Sequence, residues 1–402
     1  MKHVGTGTHE NAWRVFLAFL KLGFTSFGGP VAHLGYFRTE FVERRRWLDD
    51  RAYSDLVALC QFLPGPASSQ VGMALGLARA GWPGLLAAWA GFTLPSALAL
   101  ILFAHGITQY HGLAESGWVH GLKIVAVAIV AQAVWGMARS LCPDRPRAAL
   151  AILAALLTLI LPSAIGQVAA IITAGLLGRL TLNLSSPAGG QAHTYPVSRK
   201  AGATALLLFA LPLIGLPLWA AASGSSMLTL LEGVYRSGAL VFGGGHVVLP
   251  LLQASVVPEG LVSNADFLAG YGAAQAVPGP LFTFAAYLGA VAEGPLQGWA
   301  GGWVLLGVIF LPAVLILIGA LPFWQNLQQR RDIQTAMAGI NAGVVGVLLS
   351  ALYDPVWTGA IHGKADFGLA LAAFGLLVFG RMPPVLVVLL TALAGWLTAS
   401  LL

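Results

Sequence analysis

Charge is what this chain lacks. Of its 402 residues, 21 are Lys or Arg and 15 are Asp or Glu, 9% in all, where soluble domains carry roughly 25%. So few charges cannot solvate a globular surface, and lipid is left as the main solvent. Cysteine is nearly absent. Cys60 and Cys142 stand far apart in unlike contexts, which argues against a structural disulfide, and no His/Cys spacing suits a metal. The chain has no HExxH, no Ser-containing nucleophile elbow, no paired carboxylates inside an apolar segment and no Walker-type loop. These absences argue against a membrane-embedded enzyme and against a built-in ATPase. No catalytic residue, metal or cofactor is expected. The short alternating segments of a transmembrane β-barrel are missing as well.

What is present is hydrocarbon. Hydrophobic residues make up 57%, and several runs reach the roughly 20 residues that cross a bilayer: Trp82 to His105, Trp118 to Ser140, Ala201 to Ala222, Gly298 to Leu321 and Ile333 to Leu352. The fold class is therefore an all-α integral membrane protein, multi-pass, in the cytoplasmic (inner) membrane. The net charge of +6 sits mainly in short loops, where it reads as a topology signal rather than a nucleic-acid patch. The polar stretch Met1 to Asn11 reads as a retained cytoplasmic tail.

The chain also repeats itself. Phe27-Gly28-Gly29-Pro30 is echoed by Phe242-Gly243-Gly244-Gly245, and Gln61-Phe62-Leu63-Pro64-Gly65-Pro66 by Gln275-Ala276-Val277-Pro278-Gly279-Pro280. Gly81-Trp82-Pro83-Gly84 returns as Gly298-Trp299-Ala300-Gly301, and Leu94-Pro95 as Leu311-Pro312. Matches in order at nearly constant spacing mark an internal duplication, which in so apolar a chain points to a transporter. The expected division is an N-terminal repeat over 1–182, a linker with an unpaired transmembrane helix over 183–222, and a C-terminal repeat over 223–402.

Loop charges orient the repeats. The Arg38 to Arg51 loop carries Arg38, Arg44, Arg45, Arg46 and Arg51, whereas its partner, Gln253 to Asp266, has no Lys or Arg. His105 to Gly117 has none, whereas Pro322 to Asp332 has Arg330 and Arg331. Arg139, Arg145 and Arg147 oppose a region with only Lys364. The bias flips at each matched position, so the two repeats are expected upside down relative to one another. Apolar stretches too short to cross, interrupted at Pro30, Pro64, Pro66, Pro278 and Pro280, predict re-entrant or discontinuous helices. The resulting topology has nine full crossings and four hairpins, N-terminus inside and C-terminus outside.

FTSFGGP (Phe24 to Pro30), the basic stretch ERRRWLDD (Glu43 to Asp50), QFLPGP (Gln61 to Pro66), FGGGH (Phe242 to His246) and QAVPGP (Gln275 to Pro280) resemble the chromate ion transporter family in its long, two-domain form. The resemblance spans roughly Trp13 to Leu352. It implies export of chromate from the cytoplasm by a secondary active transporter working by alternating access. Sulfate or another oxyanion, carried or conducted, is the alternative. The first Gly-Gly motif ends in Pro30 and the second in Gly245-His246, so the two tips need not do the same work.

A tetrahedral dianion in a low-dielectric site needs hydrogen-bond donors and a positive field, and helix N-termini provide both. The candidate substrate-binding residues are Ser26, Gly28, Gly29, Gln61 and Gly65 in the first repeat and Gly243, Gly244, His246, Gln275 and Gly279 in the second. The glycines let an anion reach the backbone, although small residues also simply allow close helix packing. Lys21 and Arg236, six residues before Phe27 and Phe242, are repeat-equivalent cations, either anion ligands or snorkelling side chains. Asp55 and Glu232 are candidates for proton coupling, and His33 is a weaker candidate than His246. Arg44, Arg45 and Arg46 read as a lipid-headgroup anchor. The expected partners are a chromate- or sulfate-like oxyanion and membrane lipid; the sequence also admits proton coupling and a homodimer.

Overall fold

A computed structural model describes residues 11–109, 117–183, 195–242, 245–294, 296–324 and 330–401. All but Asn11 of the expected N-terminal tail, most of the inter-repeat linker, and Gly243 and Gly244 lie outside them. The regular elements among the described residues are all helices.

Six helices are long and apolar enough to cross a membrane. They are α4 (Ala67–Gln109), α5 (Gly117–Leu141), α7 (Ala164–Thr181), α8 (Arg199–Ser223), α13 (Gly298–Ala320) and α14 (Arg331–Ala351). Two further helices are shorter, α6 (Arg145–Ile160) at 16 residues and α15 (Lys364–Val378) at 15, and the chain ends in α16 (Pro384–Leu401). At 1.5 Å per residue, the 16 residues of α6 rise only about 24 Å. Leu207, Leu211, Ile214, Leu218 and Trp219 of α8 stand exposed, as a lipid-facing helix requires.

The short helices come in pairs that meet at breaks: α1 (Ala12–Thr25) with α2 (Gly29–Phe37), and α3 (Asp50–Phe62) with the start of α4. In the second half, α9 (Ser226–Ala239) precedes α10 (Val248–Val256), and α11 (Asn264–Ala276) precedes α12 (Phe284–Val291). α4 is itself two helices, 67–79 and 82–109. Ala80 leaves the helical region and Gly81 takes φ +61, a turn that glycine adopts without a Cβ clash. With that division, the eight helical segments of the first half recur in order in the second, and α8 stands between them.

The cross-half packing is reciprocal. α5 lies against α15 and α16, while α14 lies against α6 and α7. Glycine sets both distances. A Cβ on Gly395 would sit 2.8 Å from Gly121 Cα, and one on Gly178 would sit 2.5 Å from Gly339 Cα. Within each half the same device recurs. A Cβ on Gly23 of α1 would lie 2.6 Å from the Gly91 carbonyl oxygen, and one on Gly238 of α9 would lie 2.2 Å from that of Ile309. Close backbone approach of this kind is how helices associate in lipid, where apolar burial gives no driving force. The space between α1 and α4 is filled by Phe19, Phe37, Phe41 and Phe92, all buried, with ring centroids 4.7–5.8 Å apart.

Candidate functional site

The four breaks meet in crossed pairs. The Gly65 N–H in the first Pro-Gly-Pro donates to the Val241 carbonyl at 2.6 Å, beside the second half's glycine run. The Gly279 N–H in the second Pro-Gly-Pro donates to the Ser26 carbonyl at 3.0 Å, beside the first half's glycine run. Ser26 and Val241 are 215 positions apart, Gly65 and Gly279 214. Each bond therefore repeats the other with the halves exchanged. Both glycines have left-handed φ, +119 and +108, which a Cβ would strain. Their neighbours are equivalent too: a Cβ on Gly65 would lie 3.0 Å from Ala313 Cβ, and one on Gly279 would lie 2.8 Å from Ser96 Oγ. Ala313 and Ser96 each follow the proline of a Leu-Pro motif inside a long helix.

The tips of the glycine runs also touch. A Cβ on Gly29 would lie 3.8 Å from His246 Nε2, and one on Gly245 would lie 3.5 Å from Pro30 Cγ. His246 Nδ1 is 3.0 Å from the Tyr271 hydroxyl. Either group can donate, according to the imidazole tautomer; where Tyr271 donates, the ring proton sits on Nε2, the nitrogen nearest Gly29.

Helix starts among the described residues are of two kinds, capped and uncapped. Asp49, Asp144, Ser163, Ser198, Ser225 and Ser263 each cap a helix by accepting from a backbone N–H. Gly28 and Pro280, which precede helical segments restarting after breaks, make no side-chain cap, and neither do Gln297, Arg330 and Gly363 at starts away from the breaks. Backbone N–H groups at a helix start with no cap are available to an anion.

The first half adds a cluster of polar side chains. Ser26, His33, Ser68, Ser69, Gln70, Thr93 and Ser96 are all buried. His33 Nδ1 lies 3.3 Å from Ser68 Oγ, and its ring meets Phe92 edge-on. Gln70 Nε2 donates to the Pro64 carbonyl at 2.8 Å and to that of Ala313 at 3.4 Å. Among the described residues, Ser26 Oγ, His33 Nε2, Ser69 Oγ, Gln70 Oε1, Thr93 Oγ1 and Gln275 Nε2 are buried without a hydrogen-bond partner. Left unpaired, each such group costs about 1–3 kcal/mol, and six of the twelve such groups among the described residues belong to this set.

The structure thus brings together Ser26, Gly29, Gly65, His246 and Gly279, with Gly28 heading α2 and the partnerless Gln275 amide ending α11. It places other expected residues elsewhere. Gln61 is exposed. Lys21, its side chain 59% exposed, lies 3.9 Å from Glu40, which Arg44 and Arg45 also hold. Arg236 is tied to Glu232 at 2.5 Å and lies 3.5 Å from Ser255 Oγ. Ser255 is the repeat-equivalent of Glu40, so both cations reach towards matching positions. Gly243 and Gly244 are not described.

The sequence reading missed Ser68, Ser69, Gln70, Thr93 and Ser96. A signal existed: Ala67-Ser68-Ser69-Gln70 follows the first Pro-Gly-Pro directly, where the second half has Leu281-Phe282-Thr283-Phe284. A polar run at a helix start in lipid, absent from its apolar echo, is a departure with a cost.

A family model described as chromate transporter matches the chain twice, over residues 13–179 and 228–396. A chromate transport protein of Pseudomonas aeruginosa is 28% identical over 406 residues, covering 96% of this chain and 92% of that protein. A probable chromate transport protein of Synechococcus elongatus is 26% identical, covering 94% and 93%. A chromate transport protein of Cupriavidus metallidurans is 26% identical, covering 84% and 81%. No solved structure matches.

Proposed function

The chain belongs to the chromate transporter family, and from that premise we propose that it exports chromate across the cytoplasmic membrane as a secondary carrier, by alternating access between two inverted repeats. The crossed Gly65–Val241 and Gly279–Ser26 bonds are the observation that carries this reading. They tie the break of each half to the break of the other, so the uncapped helix starts converge where the two halves meet. Facing discontinuous helices are a recurrent way to hold an ion near the bilayer midplane.

In this mechanism the oxyanion is held by donors without a formal charge: backbone N–H groups at the breaks, the Ser26, Ser69 and Thr93 hydroxyls, and His246 Nε2–H. Preformed donors replace hydration in a low-dielectric site. Lys21 and Arg236, already engaged with their partners, set a positive field near the site rather than a tight ion pair, which leaves the anion free to depart. The loop-charge reversal supports the inversion, and the double match of one family model supports the duplication. Rocking one half against the other would shear the two crossed hydrogen bonds in turn and open the site to alternate sides. Arg38 to Arg51 on the cytoplasmic side would gather anions, although Glu40, Glu43 and Asp50 already engage Arg38, Arg44 and Arg45.

The test is flux of radiolabelled chromate in proteoliposomes of the purified chain. Saturable uptake, accelerated by unlabelled chromate on the opposite side, is the expected result. Non-saturating flux without that acceleration contradicts a carrier.

A further inference from the structure

We propose that the bound species is the protonated, singly charged oxyanion, hydrogen chromate, with Gln70 accepting the hydrogen bond from its O–H. This rests on the reading of the crossed breaks as the oxyanion site, and it names which form of the anion enters there.

The argument starts from one amide. Gln70 is fully buried. Two carbonyls, those of Pro64 and Ala313, take its Nε2. Flipping the amide would set its oxygen against both of them, so these neighbours fix which end is which. That leaves Oε1, a pure acceptor, buried with no donor among the described residues. A fully deprotonated tetrahedral oxyanion offers only acceptors, and an acceptor facing it is repelled. An oxyanion that keeps one proton offers one donor and meets the need.

Two further observations point the same way. The cations near the breaks are committed, Lys21 exposed near Glu40 and Arg236 paired with Glu232. Burying one negative charge against neutral donors is far easier than burying two. Gln70 has no counterpart in the second half, where position 70 is matched by Phe284, and unlike the Ser and Thr hydroxyls around it, its Oε1 accepts but cannot donate. The titratable and charged groups on the elements around Gln70 are Arg14 and Lys21 on α1, His33 and Tyr36 on α2, Asp50, Arg51, Tyr53, Asp55 and Cys60 on α3, Arg79 and His105 on α4 itself, and His246 and Tyr271 from the second half.

Chromate and hydrogen chromate interconvert near neutral pH, whereas sulfate holds its proton only in strong acid. The experiment is calorimetric titration of the purified full chain in detergent with chromate, and separately with sulfate, between about pH 6 and about pH 8. Uptake of one proton per bound anion predicts that Kd for total chromate rises about tenfold per pH unit once the free anion is mainly deprotonated. Sulfate is expected not to bind at either end of the range. Gln70→Met should weaken chromate binding at low pH and flatten the slope.

A chromate Kd independent of pH overturns the proposal, as does sulfate binding equal to chromate. Sulfate binding that tightens in parallel as pH falls overturns it too, since His33 or His246 would then be taking the proton. If chromate itself fails to bind at any pH, the oxyanion site at the breaks is lost along with it. The wild-type comparison of chromate with sulfate stands even if the variant does not fold.

Discussion

Gly279 donates its N–H to the carbonyl of Ser26, 253 positions earlier, and Gly65 donates to Val241 in the mirror arrangement. These bonds tie each half's Pro-Gly-Pro turn to the other half's glycine run, at φ values of +108 and +119.

Replacing either glycine by alanine is expected to disable transport. Side chains in this backbone region cost of order 1–3 kcal/mol, and the strain falls on the crossed bonds themselves. Gly65→Ala and Gly279→Ala should each lower chromate flux about tenfold or more, measured per mole of folded protein. Gly224→Ala, also at positive φ but with open space around it, is the control and should transport normally.

The reciprocal glycine contacts predict matched stability losses. In Gly121→Ala the new methyl meets the Thr391 carbonyl oxygen at 2.3 Å, and in Gly339→Ala that of Ala174 at 2.2 Å. Overpacking of this kind costs about 1–3 kcal/mol. Thermal melts in detergent should fall by similar amounts for the two variants. A loss in one alone would speak against equivalent halves.

Arg236 separates field from scaffold. With side chains 19% and 12% exposed, Arg236 and Glu232 form a largely buried pair, and Arg236→Gln, by stranding the carboxylate, costs about 3–5 kcal/mol. Glu232→Gln with Arg236→Gln should restore the melting temperature while KM for chromate stays raised. Recovery of both would leave Arg236 a purely structural role. Lys21→Gln, at an exposed position, should raise KM modestly without loss of stability.

Tyr271→Phe removes the hydroxyl paired with His246 Nδ1 and frees the imidazole to change tautomer. A lost neutral hydrogen bond is worth about 1 kcal/mol, so stability should change little. Transport should fall several-fold because Nε2 is no longer fixed as the donor towards Gly29. Unchanged flux would take His246 out of the site.

Much of this architecture was legible locally. Glycine and proline announce helix breaks by their own stereochemistry, so the interruptions at Gly28 to Pro30 and Pro64 to Pro66 could be placed from sequence, as could the long apolar helices. The pair Glu232 and Arg236 was visible as an i,i+4 spacing on α9. The crossed bonds were not legible, because they join backbone groups far apart in the chain and backbone groups carry no side-chain signature. The polar start of α4 could have been read, since its echo at Leu281 to Phe284 is apolar. The exposure of Gln61 and the engagement of Lys21 with Glu40 depend on which face of each helix packs inward.

The most direct test is the position of the cargo itself. Chromium scatters anomalously, so a crystal of the chain grown with chromate would report the metal-centred anion independently of the protein density. The account predicts a single anomalous peak within hydrogen-bonding reach of the break residues, between the Ser26–Gly279 and Gly65–Val241 contacts. A peak only in the surface groove lined by Arg179, Arg331 and Asp332, with none at the breaks, would contradict it.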